Sequence, residues 1–176
     1  VESGSRYHVR LSGLALLNVV STSGSVDSLD LPLRALPKTA GDTGGTFGAG
    51  MRQSSIGVAL FGPTVGGART TADVSFDFFG GFPPTTEGQS SGFARLRTGR
   101  LAFAWKSTSI VAGQEGPFFS PLSRTSLAMS AYPALSGSGN AWAWAPQVFV
   151  ERRVALPRES SLLLQAGILD SLTGDL

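Results

Sequence analysis

Cysteine is absent from this chain, and histidine occurs once, at His8. Without thiols there is no disulfide framework, no thiolate metal site and no cysteine nucleophile. His8 is flanked by Tyr7, Arg10 and Ser12, a set that completes neither a metal centre nor a catalytic base. Charge is scarce too: 14 Lys+Arg and 12 Asp+Glu make 15% of the 176 residues, against about 25% in an ordinary soluble domain. The net charge is only +2, and there is no Lys/Arg run and no interleaving of basic and aromatic residues, so nucleic acid is not an expected partner. No apolar run reaches the roughly 18 residues of a transmembrane helix. The densest stretch, residues 11–20, includes Ser12 and Asn18 and lacks the flanks of a secretory signal, so any export signal is expected outside this chain. Glutamate and lysine are few, and no segment has the period of an amphipathic helix.

What the chain does contain is alternation, with 23 glycines to punctuate it. Asp73, Ser75 and Asp77 point one way along a strand while Val74, Phe76 and Phe78 point the other. Carboxylates on one face and bulky apolar groups on the other call for water on the first side and hydrocarbon on the second. Seven stretches read as strands: residues 7–21, 47–61, 68–80, 93–106, 110–114, 147–154 and 161–169. Strands of about 9–11 residues cross a bilayer at the usual tilt, and several of these are long enough.

The links alternate long, short, long, short, long, short. The short ones are Gly62 to Gly67, Ser107-Thr108-Ser109 and Pro157-Arg158-Glu159; the longest is residues 115–143. This is the wiring of an up-and-down barrel with one rim of tight turns and one of long loops. The fold class expected is therefore all-β: an antiparallel transmembrane β-barrel, with residues 1–176 as one partial barrel domain. An antiparallel barrel of a single bacterial chain has an even strand number, so seven strands are expected to be the N-terminal part of a longer wall.

The run Ala72-Asp73-Val74-Ser75-Phe76-Asp77-Phe78-Phe79-Gly80 resembles the acidic-Phe-Phe-Gly strand end of Gram-negative outer-membrane porins, most of all the DcaP-like trimeric porins. Arg95-Leu96-Arg97, Gly113-Gln114, Pro117-Phe118-Phe119-Ser120-Pro121 and Pro146-Gln147-Val148 follow in the order that family carries them. The likeness spans about residues 47–154 and departs at Thr98-Gly99-Arg100, where an aromatic-rich continuation is expected. It implies a sixteen-stranded type of barrel, a homotrimer placed in the outer membrane by the barrel-assembly machinery, and passive transport of small, often anionic, solutes. It also implies a third outer loop folded into the channel. On this count that loop is residues 115–143, whose Phe118, Phe119, Leu122 and Leu127 need cover.

A porin selects by geometry and field, so the candidate residues are charges facing the lumen. These are Arg69, Asp73 and Asp77 on the third strand, Arg95 and Arg97 on the fourth, and Glu151 and Arg153 on the sixth, with Glu115 and Arg124 on the long loop. Strict alternation puts Arg100 on the opposite face from Arg95 and Arg97. The bland reading is that these charges pair across strands as a ladder in the wall. It suits the mixed acid and base sets of strands three and six. Arg95 and Arg97, with no acid adjacent in sequence, suit pore lining better. Trp105, Trp142 and Trp144, with Tyr7 and Phe61, are expected at strand ends as an interfacial girdle.

Catalysis is not expected. Asp73 and Asp77 stand roughly 13 Å apart along a strand, beyond the reach of paired-carboxylate chemistry. Gly44-Gly45-Thr46-Phe47-Gly48 lacks the Lys-Ser/Thr of a phosphate loop. No cofactor is called for. The rival class is a soluble β-sandwich or lipocalin-like binding module, which also alternates in period two but has loops of similar length at both ends.

Overall fold

The computed structural model describes residues 7–27, 31, 34–41, 44–81, 92–120, 130 and 143–171. Leu122, Arg124, Leu127 and Trp142 lie outside the described residues. Among those described there are nine strands and no helix: β1 (His8–Leu14), β2 (Asn18–Thr22), β3 (Thr46–Gly50), β4 (Ser55–Val65), β5 (Ala68–Asp77), β6 (Arg95–Ala104), β7 (Thr108–Glu115), β8 (Ala145–Ala155) and β9 (Ser161–Leu169).

Seven of them form one sheet in the order β1-β4-β5-β6-β7-β8-β9, every neighbouring pair antiparallel. Apart from the inserted hairpin β2-β3, the chain simply meanders from strand to strand. The sheet is open, with β1 and β9 as its edges. Six antiparallel steps separate these edges, so they run in the same direction.

The expected first and second strands each prove to be two. Residues 15–17 and 51–54 break them, and the outer halves pair with each other as the two-stranded sheet β2-β3. Ser54 holds the break: its Oγ accepts the Leu16 N–H at 3.0 Å and donates to the Leu16 carbonyl at 3.4 Å, replacing a rung of the ladder. Arg52, whose parity fits no strand, belongs to this turn.

The expected turn at Gly62 to Gly67 shrinks to Gly66-Gly67, because β4 runs on through Pro63 by a bulge between Phe61 and Thr64. A bulge is where a strand tolerates a proline. Gly66 and Gly67 have φ of 56° and 78°, both in the left-handed region that a two-residue hairpin turn requires. Thr108 and Ser109, expected in a turn, instead begin β7.

A second bulge matters more. Ser75 pairs with Thr98 and Phe76 with Leu96, which leaves Arg97 as the extra residue of β6. Across it the faces realign. One face carries the row Val9, Leu60, Ala72, Leu101, Ala112, Val148 and Ile168, in register across all seven strands. Beside it lie Leu11, Val58 and Val74, then Ile56, Phe76 and Leu96. Leu11 is 74% and Ile168 78% exposed, and no second layer packs on this face among the described residues.

The other face carries the charges and also the small core of Ala102, Val111 and Phe149. Phe118, just past β7, packs there, its ring stacked on Phe149 at 5.3 Å. Phe119, expected to need burial, touches Phe118 edge-on at 5.6 Å but stays 60% exposed.

Candidate functional site

Asp77 ends β5 on the charged face, directly opposite Arg95 on β6. Arg95 grips it by two points, Nε to Oδ1 at 3.0 Å and Nη2 to Oδ2 at 2.6 Å. The planar guanidinium matches a carboxylate in this way and an ammonium does not. Arg97 Nε stands 3.7 Å from the same Oδ2, and Oδ1 also accepts the Phe79 N–H at 3.0 Å. The Asp77 side chain is wholly buried. Arg95 and Arg97, which have no acid adjacent in sequence, therefore share one from the neighbouring strand, which sequence adjacency does not reveal.

Two rings complete the cluster. Phe79 is approached by two guanidinium groups, the Arg52 Cζ 4.0 Å and the Arg95 Cζ 5.5 Å from its centroid. Trp144 takes the faces of Arg95 at 4.8 Å and Arg97 at 5.3 Å. Rings of this kind hold cations by their quadrupole without neutralising them. Two guanidinium groups thus meet one carboxylate, with Arg52 over the neighbouring Phe79 ring, at the end of the sheet that carries the long links.

The middle of the charged face is mixed in sign. Arg10, Asp73 and Arg100 fall in one row across β1, β5 and β6. Arg100 Nε lies 3.8 Å from Glu115 Oε1, and neither of these two buried atoms makes a hydrogen bond. Gly113 is opposite Arg100; at its φ of 152° a Cβ would run into the Gly99 carbonyl and the Arg100 backbone. Arg100 corrects strict alternation: the bulge at Arg97 returns it to the same face as Arg95.

The remaining candidates lie toward the short turns. Glu151 accepts the Gln165 side-chain amide at 2.7 Å, and Arg153 donates to Ser161 Oγ at 3.3 Å. Arg69 is exposed opposite Ala104. His8 is exposed on the charged face, opposite Phe61. Phe61 is not at a strand end but mid-β4, with the Arg10 Cζ 5.3 Å over its ring. Trp144 leaves the expected girdle for the arginine cluster. Trp105 does sit at the short-turn rim, its Nε1 donating to the Gly66 carbonyl at 2.9 Å.

Sequence reasoning missed Arg100, Arg52, Phe79 and two glutamines, Gln53 and Gln147. A signal existed for Arg100. Leu96 and Leu101 are an odd number of residues apart, so they share a face only if the strand carries one residue too many.

No protein-family model, no curated protein and no solved structure matches this chain.

Proposed function

We propose that this sheet is part of the wall of a porin-like channel in a Gram-negative outer membrane, through which small hydrophilic, often anionic, solutes diffuse passively. One observation carries the reading: the two faces of a single sheet differ sharply in character. One is apolar across seven strands, save for Arg152 near the short-turn rim, and uncovered among the described residues, and the other is charged. An exposed apolar surface of that extent calls for a partner, and hydrocarbon fits a surface this continuous. A β-sandwich or lipocalin would turn the same side chains inward and cover them.

Arg97, whose Nε stands 3.7 Å from Asp77 Oδ2 while Arg95 holds the two-point grip, puts a guanidinium on the charged face that would raise the local concentration of anions. Phe118, Ser130 and Trp144, all in the link between β7 and β8, touch the charged face, which supports a loop folded into the lumen. The edges β1 and β9 run in the same direction, so an antiparallel wall would close only through an odd number of further strands. Trimeric assembly and insertion by the barrel-assembly machinery rest on the sequence resemblance alone.

The test is planar-bilayer conductance of the complete protein with a salt gradient across it. Stepwise conductance with a reversal potential shifted toward the anion is expected. Folded protein that never conducts would remove the channel reading.

A further inference from the structure

One side chain breaks the pattern of the apolar face. Arg152 of β8 stands there opposite Thr108 of β7 and Leu164 of β9. Resting on the membrane reading of that face, we propose that Arg152 and Lys106 together hold the phosphate of an anionic glycerophospholipid in the leaflet at the short-turn rim.

Register fixes Arg152 to that side of the sheet. Val148, Val150 and Arg152 follow in steps of two, and the pairing of β8 with both neighbours is unbroken. Ile110, Val150, Leu162 and Leu164 surround it, all exposed. Glu151, the nearest acid in sequence, lies on the opposite face and accepts the Gln165 amide. Among the described residues the Arg152 guanidinium makes no ion pair and no hydrogen bond. A guanidinium carries five N–H donors and keeps its proton, so it is costly in hydrocarbon and cheap only at the boundary.

The neighbouring turn places it at that boundary. Thr108 is the first residue of β7, and Lys106 and Ser107 form the turn before it. The Ser107 carbonyl accepts the Arg153 N–H at 2.8 Å, so this polar turn lies against β8 beside Arg152. Lys106 is exposed in it and, among the described residues, has no acid partner either. Trp105, before the turn, donates its Nε1–H to the Gly66 carbonyl, the posture of an interfacial tryptophan. β8 and β9 continue past Arg152 with Val154 opposite Leu162 on the same face. Two free cations therefore stand next to an apolar wall. A phospholipid matches both: its phosphate takes the forked guanidinium and the ammonium, and its acyl carbons take the wall.

The test is retention of phosphatidylglycerol by the complete protein in detergent, read by native mass spectrometry. Arg152→Gln and Lys106→Gln should each weaken retention about fivefold. Arg153→Gln, on the charged face, should leave it unchanged. Equal retention by wild type, Arg152→Gln and Lys106→Gln, in protein that inserts into lipid vesicles, overturns the headgroup site and leaves the membrane reading standing. An equal loss in Arg153→Gln, or displacement of the lipid by millimolar inorganic phosphate, also overturns it, since any cation or any anion would then serve. If Arg152→Gln does not fold, Lys106→Gln, in an exposed turn, decides alone. Wild-type protein that never inserts into vesicles fails the membrane reading itself, and the site falls with it.

Discussion

Arg95 and Asp77 meet across two strands in a two-point pair, at 3.0 and 2.6 Å, with the carboxylate sealed from solvent. Such a pair stabilises only as long as both members are present. Asp77→Asn removes the carboxylate that Arg95 grips at two points and Arg97 approaches, and removing one member of a buried pair costs roughly 3–5 kcal/mol. Denaturant titration of the purified protein should show a loss of that order. Unchanged stability would mean that the pair is solvated.

Arg97→Gln is the milder probe of the same cluster, since Arg95 keeps its grip on Asp77. One positive charge beside Asp77 disappears, so on the channel reading anion preference should fall with little loss of stability. Reversal potentials in a potassium chloride gradient would read this. A potential identical to wild type would show that Arg97 does not act on the permeating ion.

Leu101→Arg separates hydrocarbon from water on the apolar face. In the middle of a bilayer an arginine on a barrel's outer wall costs roughly 2–4 kcal/mol. A face exposed to water would tolerate it or gain solubility. Unfolding titrations in lipid vesicles give the answer by sign, and a stabilised or neutral variant would count against the membrane.

Deleting Arg97 should be tolerated by the fold, because it is the extra residue of a bulge and its loss restores an unbroken ladder between Thr98 and Leu96. Deleting Ala72 from unbulged register should not be tolerated, because every side chain on one side of the gap changes face. Circular dichroism in detergent distinguishes the two. Equal folding of both deletions would show that register is not fixed by the faces.

Arg158 and Glu159 both have φ of 60° in the short link between β8 and β9. A side chain in that region costs roughly 1–2 kcal/mol, and asparagine and glycine bear it best. Arg158→Asn with Glu159→Gly should therefore raise stability by about 1 kcal/mol or more in a denaturant titration. A loss would mean that the two charged side chains make contacts worth more than the strain.

Where alternation was regular, the strands could be read directly. Residues 161–169 form β9 with the expected bounds, and β5 has the faces its residues require. The first strand misled for a definite reason. Leu17 and Val19 keep the parity of Val9 and Leu11, so periodicity is blind to a chain that leaves one sheet at Leu14 and enters another at Asn18. Of the site, the charges were legible because charge on one strand face is conspicuous. Their partners were not, since Asp77 finds Arg95 and Arg97 only through pairing between strands. The glutamines were silent, because an amide in a turn or a strand has no pattern until its partner arrives from a distant link.

Local periodicity settled that the chain forms strands with one greasy and one charged side, because side-chain direction in a strand follows from covalent geometry alone, and the short links pointed to antiparallel neighbours. Tertiary structure decided which charges neutralise each other, that Arg100 joins them through a bulge, and where Phe118 and Ser130 are held. Those outcomes depend on register between segments that are distant along the chain, and register is a property of the assembled sheet.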